Sequence, residues 1–476
     1  MTPADLMALL PLIILAVTPA VVLLAIAFLR NHLLTLLLTL LGLLLAFGAL
    51  FVSWSGGPQN VTPLLVVDGY ALFYVGLLVA AAFVSAVLAY GYLERRTDHG
   101  EEFYVLLLLA TLGAAVLAAS RHFASFFLGL EILSVSLYVL VAYRRKDKRS
   151  VEGGFKYLVL AATSAAFLLL GMALVYAEQG TMAFDQVTLQ STPGLLVLAG
   201  LGLILVGIGF KLALVPFHMW APDVYEGAPA PAAALVATVS KGSVVAVLLR
   251  LFMRADIGAS AALLWVLSAV AIASMFGGNL LALTQRNVKR ILAYSSIAHL
   301  GYVLVGFLAG GAQAVAASTF YIVTYLTAIL TAFSVVSALS DARRDAEAIE
   351  DYHGLYWRRP WLAAVLTVAL FSLAGIPLTA GFLGKLYVLL ASVGARLWPL
   401  AVSLVVSSVV GLYYYLNIIV TMFAQPETEP EEAHIGAVPS VVEGSTLGVL
   451  AVLLVGLGVC PALIIGLIET VVANLS

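Results

Sequence analysis

Charged residues are scarce in this sequence. Of its 476 residues, 10% are Asp, Glu, Lys or Arg and 63% are hydrophobic, and the mean hydropathy is +1.09. Soluble domains carry about 25% charged residues, so a single water-soluble core is excluded. The formal net charge is −2, and no basic patch lies outside a few short loops, which argues against nucleic acid as a partner. These absences indicate an integral membrane protein in contact with a lipid bilayer.

Cysteine is almost absent as well. The single cysteine, Cys460, excludes an intrachain disulfide and makes an Fe–S cluster held by this chain implausible. There is also no Walker A glycine loop, no dinucleotide fingerprint and no Cys/His cluster. We therefore expect no cofactor or metal site in this chain, and an energy source that lies elsewhere. Because no Lys or Arg precedes Arg30, the first span lacks the basic segment of a cleavable signal, and we expect it to be retained.

Apolar runs of roughly 20 residues, by contrast, recur along almost the whole length. They predict an all-α membrane protein with about fourteen transmembrane helices. The predicted spans are 6–29, 33–54, 70–93, 103–119, 122–143, 155–177, 194–215, 229–252, 261–284, 289–309, 313–340, 361–392, 397–423 and 446–468.

The basic residues predict the orientation of these spans. With the N-terminus outside, the inner loops collect 15 Lys and Arg residues and the outer loops only 4. Basic residues are normally concentrated in the inner loops of membrane proteins, so this asymmetry places both termini on the outer side of the membrane. The four remaining basic residues fall within predicted spans, and they are Lys156, Lys211, Lys241 and Lys385.

Helix breaks repeat along the chain. The seventh span carries Lys211 with Pro216, and the twelfth carries Pro377 with Lys385. The matching spacing suggests two five-helix repeats, and because five is odd the second must be inverted in the membrane. The predicted division is three N-terminal spans (1–102), a first repeat (103–252), an inverted second repeat (253–423), and an acidic loop with the last span (424–476).

Glu131 is the only acidic residue near the middle of a predicted span, and Lys211 is its predicted partner. Intramembrane ionisable residues are costly, which favours a functional role over a purely structural ion pair. Pro216 should break the seventh helix and open carbonyls to water. His218 lies two turns after Lys211, where it would share its face in a continuous helix, and it either exchanges protons or sits at the membrane edge.

Three other spans carry candidate residues. Lys241 is mid-span with Thr238, Ser240 and Ser243 nearby. His299 forms a polar stripe with Ser295 and Tyr302, although a hydrogen-bonded core histidine is the alternative. Lys385 follows a Gly–Pro break and is predicted to be as deep as Lys211, whereas Lys156 is near enough to a basic loop to reach the interface. The acidic runs 341–351 and 426–436 are predicted to be solvated loops, of which the first could dock a neighbour.

At these residues the sequence resembles the antiporter-like membrane subunits of proton-translocating NADH:quinone oxidoreductase, respiratory complex I. The matching segments are FKLALVPFHMWAPDVYEGAPAPAAALVATVSK (210–241), FFLGLEILSVSLYVLVAY (126–143), VKRILAYSSIAHLGYVLVG (288–306) and GIPLTAGFLGK (375–385). The form PDVYEGAP (222–229) resembles most the N-type branch of that family, the counterpart of mitochondrial subunit two.

The resemblance implies a role for each matched residue. Glu131 and Lys211 would form a paired switch, Lys241 and His299 a central relay, and Lys385 the outward connection, while Lys156 also matches a family lysine. The chain would be a proton-translocating subunit of a hetero-oligomeric translocase. FMN, Fe–S clusters and quinone would belong to partner subunits.

Three alternatives remain open at the level of sequence. The first is a subunit of a multi-subunit cation/proton antiporter, although sodium coupling would favour more intramembrane carboxylates than this chain has. The second is a membrane subunit of a related complex fed by another electron donor. The third is a scaffold whose buried charges only fix the packing.

Overall fold

The computed structural model of the protein describes residues 2–96, 99–187, 194–253, 261–425 and 440–473. Within these ranges the chain is a bundle of helices with one short antiparallel hairpin, in which β1 (Gln59–Asn60) pairs with β2 (Val66–Val67). Thirteen of the described helical segments, with the continuous stretch Ala230–Leu251 counted as one, are long and apolar enough to cross a membrane. The predicted all-α membrane fold is therefore confirmed.

The α-helices are numbered in chain order. They are α1 (Pro3–Ala8), α2 (Leu10–Phe28), α3 (His32–Ser55), α4 (Gly69–Glu94), α5 (Glu101–Ala118), α6 (Phe123–Val141), α7 (Lys148–Gln179), α8 (Leu195–Leu212), α9 (Trp220–Gly227), α10 (Ala230–Leu235), α11 (Lys241–Met253), α12 (Ala261–Ala282), α13 (Val288–Ala309), α14 (Gly311–Leu339), α15 (Leu355–Arg358), α16 (Pro360–Ala374), α17 (Ala380–Gly394), α18 (Trp398–Phe423), α19 (Val441–Val459) and α20 (Ala462–Ala473). A π-helical segment, Val236–Ser240, joins α10 to α11, and short 3-10 segments occupy Phe184–Gln186 and Ile349–Tyr352.

Several predicted spans differ from the observed helices at their ends. The twelfth span is two short helices, α16 and α17, so this broken pair and the thirteen long helices account for the predicted fourteen. The seventh ends at Leu212, because Ala213 adopts a left-handed conformation with φ of 59°. The sixth begins seven residues earlier than predicted, at Lys148, where the Asp147 carboxylate accepts a hydrogen bond from Arg149 N and caps the helix.

Proline divides the first and last predicted spans. Pro11 has no N–H to continue the ladder from α1, so the chain starts a new helix, α2, at Leu10. Pro461 acts in the same way between α19 and α20. Residues 426–439 and Arg254 lie outside the described residues, and so does the predicted acidic loop 426–436.

The centre of the bundle is formed by α10, α11, α13 and α14, whose side chains are almost all buried. Peripheral helices turn large apolar side chains outward, as α12 does with Trp265 (73% exposed), and these faces suit lipid or other apolar partners.

The two proposed repeats share two structural features. In each, the first two helices cross at glycines. A Cβ on Gly113 of α5 would lie 2.5 Å from Leu133 N of α6, and one on Gly278 of α12 would lie 2.7 Å from Ala298 N of α13. Each repeat also has its broken span in fourth place. The division into domains stays a prediction that these features support.

Candidate functional site

Lys211 is held in the last turn of α8 by a hydroxyl and two aromatic rings. Its side chain is buried (3% exposed), and Nζ donates a hydrogen bond of 2.6 Å to Ser134 Oγ on α6. Nζ also lies 5.6 Å from the ring centre of Tyr138 and 5.2 Å from that of Tyr157. Trp220 stacks on Tyr157 at 4.6 Å and fixes this aromatic wall. Cation–π contacts and a hydroxyl thus stabilise the amine.

Glu131 does not form the predicted direct ion pair with Lys211. Among the described residues no carboxylate oxygen lies within 4.0 Å of Lys211 Nζ, and Ser134, one turn after Glu131, is the group that contacts it. Glu131 is only half-buried, because it borders the outward stripe of α6 that includes Leu128 and Val135. Ser134, which in turn donates to the Leu130 carbonyl, is the polar partner of the amine, and the sequence does not predict this contact.

The break after Lys211 also separates it from His218. Helix α8 stops at Leu212, so the two-turn alignment predicted for a continuous helix is not formed. His218 is half-buried in the turn before α9, and neither ring nitrogen has a hydrogen-bond partner within the described part of the chain. Val215 N donates to Ser274 Oγ of α12 at 2.9 Å, which anchors the break to the second repeat.

Lys241 lies at the centre of the bundle with no exposed surface. Its Nζ donates a short hydrogen bond to Ser296 Oγ of α13, which also bonds to the Tyr325 hydroxyl of α14. The ring of Tyr225 lies 5.5 Å from Nζ. The predicted neighbour Ser243 instead bonds the Ser240 carbonyl of its own segment. A residue on another helix, Ser296, is therefore the polar partner of this lysine.

His299 has a partner on each ring nitrogen. Tyr321 OH lies 2.8 Å from Nδ1 and Tyr415 OH lies 3.2 Å from Nε2. The predicted stripe is present, because Ser295 Oγ bonds the Tyr415 hydroxyl and the Tyr302 ring lies 5.6 Å from the imidazole. Every hydroxyl in this cluster is able to donate and accept a proton.

Lys385 occupies the break of the twelfth span. Its Nζ donates to the carbonyls of Leu373 (3.0 Å) and Ala374 (2.8 Å), which end α16, and to Ser408 Oγ of α18 (2.8 Å). An ammonium is favourable at a helix C-terminus, where free carbonyls carry partial negative charge. The Tyr302 ring, 5.3 Å away, connects this lysine to His299.

Gly375 makes this arrangement possible. Its φ is 85°, and a Cβ there would lie 2.9 Å from Lys385 Cδ and 3.1 Å from Nζ. We expect Gly375→Ala to cost about 1–2 kcal/mol for the left-handed backbone and to push the Lys385 amine off the carbonyls. Gly394→Ala, at a glycine with open space around it, is the matched control. A lower thermal unfolding temperature is expected for Gly375→Ala alone, and equal values for the two variants would contradict this account.

Lys156 lies outside the buried set. Its side chain is 41% exposed, and Nζ pairs with Asp223 of α9 and Glu152 of α7, both at 2.7 Å. Asp223 also accepts from Arg290 of α13 at 2.9 Å. The ion pairs tie three helices together at the end of the bundle, which fits the interfacial interpretation of Lys156.

The segment 341–351 is only partly the solvated loop that its charges predict, because 342–344 and 350 are exposed and 345 and 346 are buried. Asp345 is buried (4% exposed) and bonds Arg96, Lys289 and the Tyr92 hydroxyl. Lys289 Nζ also donates to the carbonyls of Glu226 and Ala228, both at 2.7 Å. This ion cluster of Asp345, Arg96 and Lys289 joins α4, α9 and α13, because opposite charges from distant parts of the sequence meet there.

Two of these carboxylates make stability depend on pH. Burial raises the pKa of Asp345, but Lys289 and Arg96 lower it more, so that it lies well below its usual range. The pKa of Asp223 is raised by burial and lowered more by Lys156 and Arg290, and it also lies below its usual value. Groups with a depressed folded pKa stabilise the fold above the unfolded pKa of about 4, and this stabilisation is lost on acidification through the folded pKa.

The loss of these two contributions is therefore expected to lower the unfolding temperature of the purified protein below about pH 4. A thermal melt followed at each pH measures this. In Asp345→Asn the unfolding temperature should fall less below pH 4, because one of the titrating carboxylates is removed. A fall as large as in the parent protein would contradict the assignment.

The buried groups form a row through the bundle. Lys211 borders the Tyr157 ring and Lys241 borders the Tyr225 ring, but the hydroxyls of these two tyrosines have no hydrogen-bond partner in the described residues. From Lys241, Ser296 and Tyr325 lead on to His299, and Tyr302 leads to Lys385. No carboxylate is ion-paired to any of the three buried amines within the described residues, and no cluster of metal-ligating side chains occurs there. The fold and this row define an integral membrane protein with an internal axis of groups able to carry protons.

Comparisons with known protein families and solved structures identify the family of this chain. The transmembrane family described as NADH:quinone oxidoreductase/Mrp antiporter matches residues 120–411. A chain of respiratory complex I from Thermus thermophilus with bound aureothin is 36% identical, with a TM-score of 0.83, covering 96% of this chain and 98% of that one. The protein belongs to this family and has the fold of its antiporter-like membrane subunits.

Two other complexes contain chains with the same fold. A chain of the Mrp complex from Dietzia sp. DQ12-45-1b has 21% identity and a TM-score of 0.88, covering 100% of this chain and 98% of that one. A chain of the membrane-bound sulfane sulfur reductase, an archaeal respiratory membrane complex, has 25% identity and a TM-score of 0.86, covering 99% and 97%.

Proposed function

We propose that this chain is the N-type antiporter-like subunit of a bacterial proton-translocating NADH:quinone oxidoreductase, and that it moves protons outward along its buried axis. The supporting observation is the set of buried groups Lys211, Lys241, His299 and Lys385. Hydrogen bonds join Lys241, Ser296 and Tyr325, and ring contacts relate His299 to Tyr325 and Tyr302, and Tyr302 to Lys385. Higher identity to the complex I chain than to the Mrp and reductase chains supports the choice of complex.

Each group has a part in this proposal. Lys211, placed at a helix break, takes a proton when the charge of Glu131 or a neighbouring subunit changes. Lys241 passes its proton to the hydroxyls of Ser296 and Tyr325, and each hydroxyl receives one proton as it gives another. The Tyr325 and His299 rings lie 5.2 Å apart without a hydrogen bond, so the transfer to the imidazole requires one of these side chains to rotate. Lys385 accepts from the histidine side and releases the proton outward. His218 exchanges protons with water at the break, and Lys156 holds α9 in place.

The redox chemistry belongs to partners in this proposal. FMN, the Fe–S clusters and quinone are assigned to other subunits of the complex, and this chain supplies no ligand for them. Both termini face the periplasm, supported by the excess of basic residues on the opposite loops, and the protein resides in the bacterial inner membrane as part of a hetero-oligomer.

Purification tests the assignment directly. The tagged chain is isolated from native membranes in mild detergent, and FMN, Fe–S absorbance and NADH oxidation are measured in the same fraction. All three are expected to co-purify. Isolation with only small membrane subunits and none of these signals would contradict the complex I assignment.

A cation/proton antiporter subunit is the second candidate, because the matching family covers Mrp antiporters as well as NADH:quinone oxidoreductase. Such a subunit is expected to show proton flux that depends on sodium in vesicles without any electron donor. The present proposal expects flux driven by NADH and insensitive to a sodium gradient.

A further inference from the structure

One buried carboxamide, that of Asn279, joins three helices of the predicted second repeat. Asn279 lies on α12 and is 2% exposed. Its Nδ2 donates to the Ser407 carbonyl of α18 (2.8 Å), the Met275 carbonyl of α12 (3.0 Å) and the Tyr302 hydroxyl of α13 (3.0 Å). Its Oδ1 accepts from the Tyr414 hydroxyl of α18 at 2.9 Å. Both polar atoms of the amide therefore have protein partners.

The partners determine which way this amide faces. The groups contributed by Ser407 and Met275 are backbone carbonyls, which only accept hydrogen bonds, so Nδ2 must face them. The Tyr302 hydroxyl lies on the same side and accepts from Nδ2, and Ser407 Oγ lies 3.3 Å from this hydroxyl as well. The hydroxyl of Tyr302 is therefore held by α12 and α18, which leaves its ring to contact the row of buried groups.

The Tyr302 ring contacts two groups of that row. Lys385 Nζ lies over the ring, 5.3 Å from its centre, and the His299 imidazole lies 5.6 Å away at an interplanar angle of 79°. An ammonium group over an aromatic face is stabilised by the ring, whereas a neutral amine is not stabilised in this way. Because a phenol is rigid, the point at which its hydroxyl is anchored determines how the ring faces Lys385.

Asn279 is also bound to the helix that carries the hydroxyl partner of Lys385. Ser408 Oγ accepts a hydrogen bond from Lys385 Nζ at 2.8 Å, and Ser408 follows Ser407, whose carbonyl binds the amide. At the point of contact α18 has a glycine, because a Cβ on Gly411 would lie 2.9 Å from Asn279 Oδ1. One side chain of α12 thus fixes two of the contacts made by a lysine of α17.

We propose that Asn279 is a positioning residue for proton transfer at Lys385. It anchors the Tyr302 ring and the part of α18 that carries Ser408, and these two groups hold the amine where it takes up and gives up its proton. Asn279 itself carries no proton along the row, because a carboxamide is neutral. Without this anchor the ring turns away from Nζ, and the protonated amine loses its cation–π contact. This inference rests on the proposed function.

Asn279→Leu in the intact complex is the first test, because leucine forms no hydrogen bonds. We expect proton transfer through this chain to slow about fivefold, the order of magnitude of one lost cation–π contact. The measurement is NADH-driven pumping in sealed liposomes at equal FMN and Fe–S content, so that a loss of assembly alone does not change the result. Ser85→Ala is the control, since Ser85 is fully buried and bonds the Ala81 carbonyl of its own helix. Equal pumping by the two variants would overturn the proposal.

A double-variant cycle tests whether the amide acts through Tyr302. Tyr302→Phe keeps the ring but removes the hydroxyl that Asn279 holds. This variant is also expected to pump more slowly, and the double variant is expected to be no slower than Asn279→Leu alone, because both changes break the same link. Two decreases that multiply would show independent effects and would overturn the proposal.

Gly411→Ala tests the position of the amide without removing any hydrogen-bonding group. The added methyl would lie 2.9 Å from Asn279 Oδ1 and is expected to displace the amide. Gly48→Ala, at a glycine of α3 with open space around it, is the matched control. Pumping is expected to fall in Gly411→Ala alone at equal FMN and Fe–S content. Equal pumping by these two variants would overturn the proposal even where Asn279→Leu fails to assemble.

The positioning role and the proposed function fail differently. If Lys241→Met stops pumping while the variants of Asn279 and Gly411 pump normally, only the positioning role is wrong. If Lys241→Met also pumps normally, the function of the axis itself is wrong.

Discussion

Lys241→Met is expected to slow proton transfer through this chain on the order of 100-fold while the complex still assembles. General acid–base groups contribute about 10²- to 10⁴-fold to proton-transfer rates, and methionine has a similar length but cannot ionise. Lys241 is fully buried between Ser296 and Tyr225, so no neighbouring water-exposed group substitutes for it. The measurement is NADH-driven proton translocation by the purified complex in sealed liposomes.

Ser243→Ala is the matched control. Ser243 lies two residues further along α11, is equally buried, and bonds only the Ser240 carbonyl of its own segment. We expect this variant to pump at the normal rate. If Lys241→Met and Ser243→Ala give the same ratio of protons to NADH at equal FMN and Fe–S content, the buried lysine carries no proton, and a packing role would explain it better.

Sequence alone could predict the spans, the helix breaks and the buried lysines because each is a local property. A run of apolar residues, a proline, or a lysine among leucines is visible within one or two turns. The break at Gly375 is an example, since glycine and proline mark it and Lys385 follows on the same segment. Lys211, Lys241 and Lys385 are all buried within the protein, as their apolar sequence surroundings indicate.

Partners on other helices could not be predicted in this way. Ser134 and Ser296 are ordinary residues of apolar spans, and only tertiary packing places them against Lys211 and Lys241. The position of Glu131 at the edge of the buried face depends on how α6 is rotated in the bundle. Hydroxyl residues one turn away from an intramembrane charge are therefore the sequence signal that best indicates such polar partners.

In the acidic segment 341–351 the local charge pattern predicts more exposure to solvent than the structure shows. Its mixed charges are typical of a solvated loop, yet Asp345 is buried between Arg96 and Lys289 from two other parts of the chain. Local charge pattern reports only the average polarity of a segment. It does not report which one of its carboxylates meets cations that arrive from elsewhere.

Asp345→Ala is therefore expected to destabilise the protein by about 3–5 kcal/mol, the cost of leaving buried cations without their partner. The side chains of Arg96 and Lys289 are only 3% and 1% exposed, so water does not replace the lost carboxylate. The measurement is the unfolding temperature of the purified complex and the amount of this chain assembled in membranes.

Asp345→Asn and Glu152→Ala separate charge from shape and surface effects. The asparagine keeps the volume and an acceptor for Tyr92 but removes the charge, and it should lose most of the same stability. Glu152 pairs with Lys156 at an exposed site, where an ion pair contributes about 0–1 kcal/mol, so its variant should stay near the parent. If Asp345→Ala unfolds at the same temperature as Glu152→Ala, the ion cluster does not hold the helices together. Apolar packing of α4, α9 and α13 must then stabilise this end of the bundle.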